Sequence, residues 1–218
     1  MIRHFAVLLI LIGAAFVTDT SHAQRATTQV NIAGMPAGSA PPNFEFSLTG
    51  EGPISAWKVV ADPTAAAQKA IAQTSTDRTD YRFPLAVYQP LLAANVEVSV
   101  HFKPVAGKVD QAGGIAVRLA SADDYYVVRA NALEDNVRFY RVVKGSRQQI
   151  QGANLKVASN QWHTLGLRAE GNRFTVSFEN KTLFTAEDST FTAPGKVALW
   201  TKADSVTHFD AIAITPLD

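Results

Sequence analysis

The sequence predicts an all-β fold, with short antiparallel strands arranged as a sandwich or a barrel. Three observations support this prediction. Apolar and polar residues alternate with a period of two along much of the chain, turn residues separate these runs at short intervals, and helical patterns are nearly absent. Sequential strands joined by tight turns are expected to pair antiparallel.

The N-terminal residues have the layout of a secretory signal. Arg3 and His4 precede an apolar run over residues 5–17, and Ser21-His22-Ala23 follows as a small-x-small cleavage pattern. In a helix this run of thirteen residues spans roughly 20 Å, whereas a hydrocarbon core is about 30 Å thick. The alternative of a membrane anchor therefore fits less well. We expect cleavage after residue 23, a periplasmic or secreted location, and no stable membrane insertion after cleavage.

Residues 24–42 are predicted to form a flexible leader, since they hold few large apolar side chains and end in Met35-Pro-Ala-Gly-Ser-Ala-Pro-Pro42. The packed domain is expected to span residues 43–218. Its predicted strands alternate in polarity and are bounded by turn residues. They lie at residues 44–48, 96–103, 114–121, 125–130, 137–143, 162–169, 174–178, 197–202 and 206–214.

One segment of the domain has a helical pattern. Residues 62–73 are rich in Ala, with Asp62 in a capping position and Pro63 at the first helical position. The sequence predicts a short helix there. In the strands, alternation predicts that Phe139 and Leu199 point into the core.

Composition excludes several classes of function. Hydrophobic residues make up 47% and charged residues 18%, which indicates a globular chain rather than a disordered one. The net charge of +1 argues against nucleic acid as a partner. The chain has no cysteine, which rules out disulfides, thiolate metal sites and cysteine nucleophiles.

Motifs for hydrolysis and metal binding are missing from the strands. Two carboxylates on one face need positions i and i+2, but the acidic pairs at residues 134–135 and 187–188 are adjacent. His101, His163 and His208 each stand alone, without metal-ligand spacing, so no metal site is predicted. His208 and Asp210 share a face of one strand and are the candidates for an acid–base couple.

No cofactor is predicted, although calcium stays open. The acidic residues near strand ends are the type that loop sites use for this cation. They are Asp123, Asp124, Glu134, Asp135 and Asp204.

Polar and aromatic side chains on the polar faces of several central strands predict a ligand-binding face. If these strands are neighbours, an aromatic ring can pack on the apolar face of a pyranose, and planar Arg and Asn groups can hydrogen-bond its hydroxyls. Ordinary solvent-exposed side chains, with Trp200 in the core, are the alternative interpretation. The predicted ligand-binding residues are Arg118, Arg129, Asn131, Arg138, Tyr140, Trp200 and Lys202.

Several segments resemble bacterial laminin-G-like domains of the concanavalin A-like lectin and glucanase superfamily. They are Trp57-Lys-Val-Val60, residues 125–140, Trp162-His-Thr-Leu-Gly-Leu-Arg168, residues 195–204 and His208-Phe-Asp-Ala-Ile-Ala-Ile214. Within that superfamily the chain is most similar to the 3-keto-disaccharide hydrolase domain family, over residues 43–216. The resemblance implies a two-sheet jelly roll with a concave, sugar-facing sheet. No catalytic residue of that family matches a position here.

The sequence is compatible with three functions. The first is an exported carbohydrate-binding domain with a carbohydrate or glycoside ligand. The second is an enzyme that cleaves 3-keto-glycosides, with His208 or a loop carboxylate as base and Arg129 or Lys202 stabilising the enolate. The third is a non-catalytic protein-interaction module.

Overall fold

The computed structural model describes residues 26–217, and the predicted signal peptide lies outside this range. The described residues form fifteen strands and no helix, which confirms the all-β prediction. The strands are β1 (Thr28–Gln29), β2 (Phe44–Gly50), β3 (Trp57–Ala61), β4 (Lys69–Gln73), β5 (Arg82–Ala93), β6 (Val96–Ala106), β7 (Ala112–Ser121), β8 (Asp124–Asn131), β9 (Asn136–Val143), β10 (Ser146–Asn154), β11 (His163–Glu170), β12 (Arg173–Phe178), β13 (Lys181–Glu187), β14 (Gly195–Trp200) and β15 (Val206–Pro216).

The strands form two antiparallel sheets that pack as a sandwich. The eight-stranded sheet has the order β13-β12-β11-β6-β15-β4-β3, with β1 also paired to β15. The seven-stranded sheet has the order β10-β9-β8-β7-β14-β5-β2. Within the described range every strand pair is antiparallel, as the short turns predict.

The main core lies between the sheets and is built by the alternating apolar residues. Phe102 and Phe209 enter it from the eight-stranded sheet, and Phe139 and Leu199 enter it from the seven-stranded sheet. The inward direction predicted for Phe139 and Leu199 is confirmed. Burying such side chains is the dominant favourable contribution to folding.

A second apolar cluster belongs to the seven-stranded sheet alone. Its members alternate with the core residues along each strand, so they lie on the face turned away from the eight-stranded sheet. We call this face the outer face of the seven-stranded sheet. The cluster consists of Phe83, Leu85, Val87, Ala112, Ala116, Leu119, Tyr125, Val127, Tyr140, Val142, Ala198 and Trp200.

The helix predicted at residues 62–73 is wrong. Residues 62–68 form turns, and residues 69–73 form strand β4. The Asp62 side chain does cap a backbone N–H, that of Thr64 at 3.1 Å, but the chain then turns back instead of continuing as a helix. The amide of Asp62 donates to the carbonyl of Gln68 at 3.0 Å, which closes the loop.

Part of the predicted leader contributes to the sandwich. Ile32 and Met35 are buried in the main core. The amide of Gly38 donates to the carbonyl of Val59 at 2.8 Å, and the amide of Val59 donates to the carbonyl of Ser39 at 2.8 Å. Residues 38–39 therefore cover the free edge of β3.

Candidate functional site

Five of the seven predicted ligand-binding residues lie together on the outer face of the seven-stranded sheet. In the register of the strands, Arg138 faces Arg129, Arg129 faces Gly114, and Gly114 faces Trp200. Directly paired residues point to the same side of a sheet. Asn131 and Tyr140 share this side, because each is an even number of residues away from Arg129 or Arg138.

An arginine missed by the sequence analysis lies over the aromatic residues of this face. The guanidinium carbon of Arg147, on the edge strand β10, is 4.5 Å from the ring centroid of Tyr140, 4.8 Å from that of Phe83 and 5.8 Å from that of Trp200. We call these four residues the arginine–aromatic cluster. The Nη1 atom of Arg147 is buried and has no hydrogen-bond partner.

Arg129 lies on the other side of Tyr140. Its Nη2 donates to Glu134 Oε2 at 2.7 Å and to the Tyr140 hydroxyl at 3.1 Å, and its Nη1 donates to Asn136. Its Nε is buried and lacks a partner. Burial by itself would raise the pKa of Glu134, but the charge of Arg129 and the hydrogen bonds outweigh burial and hold that pKa below its ordinary value.

The side chains of Lys202 and Asn131 both contact the buried carboxylate of Asp110. Asp110 Oδ1 accepts from Asn131 Nδ2 at 2.7 Å, and Asp110 Oδ2 lies 3.1 Å from Lys202 Nζ. Burial raises the pKa of Asp110, and the charge of Lys202 opposes that shift. Burial would lower the pKa of Lys202, but Asp80 and Asp110 together raise it. The ammonium therefore stays charged between two acidic groups.

Arg138, on β9, hydrogen-bonds to the edge strand β10 at the same face. Its guanidinium donates to the carbonyl of Ala153 at 2.8 Å and to Asn154 Oδ1 at 2.5 Å, both on β10. A Cβ atom at Gly152, directly opposite Arg138, would come within 2.4 Å of the Arg138 Cδ. The absence of a side chain at Gly152 therefore leaves the space that Arg138 occupies.

The structure places Trp200 differently from the predicted sugar-stacking position. Its side chain is on the expected face, but its exposure is 0%. Its ring stacks on Phe83 with a centroid distance of 5.4 Å, and its Nε1 donates to the Tyr125 hydroxyl at 3.2 Å. Trp200 is therefore a buried member of the arginine–aromatic cluster and has no exposed ring face on which a sugar could stack.

Arg118 does not belong to the site. The strand bulges at this residue, whose φ is 50°, and the bulge shifts the alternation, so that Leu119 joins the outer cluster. The guanidinium of Arg118 donates to three backbone carbonyls, those of Ala94, Phe191 and Gly171. Its hydrogen-bonding capacity is used to tie loops together.

His208 and Asp210 do not pair with each other. They lie on the eight-stranded sheet, where His208 Nδ1 is 2.7 Å from Asp62 Oδ2 and Asp210 Oδ2 accepts from the amide of Ala66 at 2.7 Å. Asp210 Oδ1 is 3.3 Å from His101 Nδ1. The two candidates thus anchor the loop of residues 62–68 on the sheet. His208 lies on a different sheet from Arg129, so the proposed combination of these two in one active site is not formed.

The candidate calcium ligands are distributed over separate loops. Asp204 accepts from the amides of residues 108–110, Asp135 binds Lys156, and Asp124 accepts from Ser121. Across residues 26–217 no group of three or more His, Asp or Glu side chains is placed to hold a metal ion. The same residues contain no helix with the length and apolar character needed to cross a membrane.

A groove of about 370 Å³ lies on the eight-stranded sheet. Short hydroxyl side chains line it, among them Ser99, Ser177 and Thr182. Its one arginine, Arg168, is paired with Glu97 at 2.8 Å and with Glu170 at 3.0 Å. Unlike the arginine–aromatic cluster, this groove contains a cation that is already neutralised.

The fold and the chain's own sequence define a lectin-type β-sandwich. The family model described as galactocerebrosidase, C-terminal lectin domain, matches residues 91–217, more than half of the chain. The chain belongs to this family. No curated protein matches it.

Solved structures with the same fold are distant in sequence. The carbohydrate-binding module CBM66 from Bacillus subtilis is 19% identical, with a TM-score of 0.62 over 83% of this chain and 99% of that one. The β-glucanase of Bacillus licheniformis is 14% identical, with a TM-score of 0.54 over 84% and 96% of the two chains. The Ca²⁺-bound exoplasmic/lumenal domain of VIP36 is 12% identical, with a TM-score of 0.57 over 88% and 90%. These likenesses show the two-sheet jelly-roll fold.

Proposed function

We propose that this protein is an exported carbohydrate-binding domain whose ligand lies on the outer face of the seven-stranded sheet. Membership in a lectin domain family supports the ligand class. The name of the carbohydrate-binding module from Bacillus subtilis, which has the same fold, agrees with it.

One observation on this face carries the proposal. Arg129 and Arg147 lie on either side of Tyr140, and each has a buried N–H group without a hydrogen-bond partner. Buried donors in native proteins are nearly always paired, so an unpaired one calls for an explanation. Arg147 is half-buried and can offer its guanidinium to the oxygens of a bound saccharide, whereas Arg129 is 4% exposed and holds the Tyr140 hydroxyl in place. Arg138 and Lys202 border the same face, whereas Asn131 is fully buried, donates to Asp110 and accepts from the amide of Leu133.

The binding test is calorimetric titration of residues 24–218 with a panel of plant and bacterial polysaccharides. Arg147→Ala should weaken binding about tenfold or more, which corresponds to roughly 1.4 kcal/mol, and should leave the fold intact. Arg168→Ala is the matched control, since this arginine lies in the groove of the other sheet. If Arg168→Ala weakens binding and Arg147→Ala does not, the site assignment is wrong. If no polysaccharide binds, the protein-interaction module becomes the better interpretation.

Cleavage of 3-keto-glycosides is a second candidate function, with Glu134 as the loop carboxylate. Glu134 Oε2 lies 2.7 Å from Arg129 Nη2, so a base and an oxyanion-stabilising group are adjacent. The lowered pKa of Glu134 makes it a weaker base than an unperturbed carboxylate. Incubation with a 3-keto-disaccharide and an assay for released sugar tests this function. Glu134→Gln should abolish any release if the candidate is correct.

Export remains part of the proposal and rests on residues 1–23, with their apolar run and small-x-small motif. The mature chain should begin at Gln24 and be periplasmic or secreted. Intact-mass measurement of the exported product checks this, and a membrane-bound product that retains residues 1–23 would contradict it.

A further inference from the structure

We infer that the preferred ligand is an acidic carbohydrate, with a carboxylate or sulfate group that binds Arg147; this inference rests on the proposed carbohydrate-binding function. The surroundings of Arg147 differ from those of four other arginines among the described residues. Arg129, Arg141 and Arg168 each lie within 2.8 Å of a carboxylate oxygen. Arg118 has three carbonyl acceptors. The contacts of Arg147 are the rings of Phe83, Tyr140 and Trp200.

The aromatic rings hold the Arg147 guanidinium in place but do not satisfy it. A cation over a ring gains electrostatic attraction from the π system. The ring faces are poor acceptors for the N–H groups, and the buried Nη1 has none. Placing a charge in such a site is costly unless an opposite charge or strong acceptors accompany it. A carboxylate or sulfate oxygen provides both, and its planar or forked geometry suits a guanidinium.

The positive charges on this face that have no described acidic partner lie on β9 and on the edge strand β10. Arg129 is neutralised by Glu134, and Lys202 by Asp110 and Asp80. Arg138 has only neutral partners, the carbonyls of residues 137 and 153 and the Asn154 amide oxygen. Arg138 and Arg147 are thus two cations without described carboxylate partners on the same pair of strands. A neutral glycan would leave both charges uncompensated.

The preference is tested with paired polymers that share a sugar backbone and differ in whether its acidic groups are charged, esterified or removed. The carboxylate arm compares polygalacturonate with its fully methyl-esterified form, and the sulfate arm compares a sulfated galactan with its desulfated form. We expect at least one acidic polymer to bind about tenfold or more tightly than its neutral counterpart, with an affinity that falls as salt is raised. Polyglutamate, an acidic polymer without sugar rings, is the control for unspecific charge capture.

Three variants test whether Arg147 causes the preference. Arg147→Gln should bring the acidic and neutral forms of the polymer to similar affinities, whereas Arg168→Gln should keep the wild-type difference. Arg147→Lys keeps the charge and should retain part of the preference, which covers the case in which Arg147→Gln unfolds.

The outcomes distinguish this inference from the proposed function. Equal binding of the acidic and neutral forms by the wild type overturns the inference and leaves carbohydrate binding standing. Equal binding of polyglutamate and the acidic glycan also overturns it, because the sugar would then contribute nothing. Failure to bind any polysaccharide overturns both.

Discussion

The guanidinium carbon of Arg147 lies 4.5 Å from the ring centroid of Tyr140, although these residues are not directly paired. Arg147 faces Val142 in the register, and Tyr140 faces Gln149. The contact is therefore diagonal, and the long arginine side chain runs inward over the neighbouring strand. An edge strand thus places a cation over aromatic residues contributed by three other strands.

Removal of the Trp200 ring should destabilise the protein. The side chain is fully buried, stacks on Phe83 and donates to Tyr125, so Trp200→Ala should lower the free energy of unfolding by about 3–5 kcal/mol. Urea denaturation measures this change. Leu92→Ala, at a side chain that is 60% exposed, is the control and should change stability by about 0.5 kcal/mol or less. A Trp200→Ala protein of wild-type stability with lost ligand affinity would restore Trp200 as a contact residue.

Substitution of Arg118 should affect folding and leave binding unchanged. Arg118→Ala deprives the carbonyls of Ala94, Phe191 and Gly171 of their donor, and a loss of about 2 kcal/mol or more is expected. Thermal or urea unfolding gives the stability, and calorimetry with an identified glycan gives the affinity. A variant that folds normally but binds weakly would show that Arg118 acts at the ligand after all.

Asp62 should stabilise the protein above about pH 4. Burial would raise its pKa, but Lys103, Thr64 and His208 outweigh burial and lower that pKa below the value in the unfolded chain, which is about 3.9. A group with a lowered folded-state pKa stabilises the fold when ionised and loses this effect as the pH falls through the folded-state pKa. Asp62→Asn should therefore cost about 3–5 kcal/mol at neutral pH.

The Asp62 prediction is checked by urea unfolding of the wild type and Asp62→Asn between pH 7 and pH 2. The gap in stability should narrow as the pH falls below about 4. A gap that stays constant over this range would mean that the ionised carboxylate is not what stabilises the loop of residues 62–68.

Tyr125 should make the protein sensitive to high pH. Burial raises the pKa of its hydroxyl to about 12, although Thr49 and Trp200 partly offset burial. The unfolded value is about 10. Because the folded-state pKa is raised, the stabilisation is complete below about pH 10 and is lost as the pH rises towards 12. The stability of wild type relative to Tyr125→Phe should fall over this range, and ultraviolet titration should show a late-ionising tyrosine that Tyr125→Phe lacks.

Alternation predicted the outer face correctly wherever strands are regular. In β8 and β9 each step of two residues keeps the same side, so Arg129, Asn131, Arg138 and Tyr140 could be assigned to one face from the sequence. Alternation predicts on which side of the sheet a side chain lies, but not how exposed that side chain is. Arg147 covers Trp200 from strand β10, which is separated from the Trp200 strand β14 by three other strands of the sheet. The sequence does not show this contact.

The residues that sequence reasoning misplaced lie where alternation fails. A bulge at Arg118 changes the phase within β7, and no local pattern marks it. β10, which carries Arg147, has the sequence Ser-Arg-Gln-Gln-Ile-Gln-Gly-Ala-Asn, and its near lack of apolar alternation does not predict a strand. β5 was missed for the opposite reason, since both of its faces are apolar over residues 83–88.

The segment that covers β3 has a consequence for self-association. The amide of Gly38 donates to the carbonyl of Val59, and the carbonyl of Ser39 accepts from the amide of Val59. These groups of Val59 lie on the edge strand β3 and would otherwise have no partner in the sheet. An uncovered edge is a template on which another chain can add a strand. A protein shortened to begin at Asn43 would lose this cover, together with the buried Ile32 and Met35. Such a protein should pair edge to edge with its own copies and precipitate at concentrations at which the longer chain stays monodisperse.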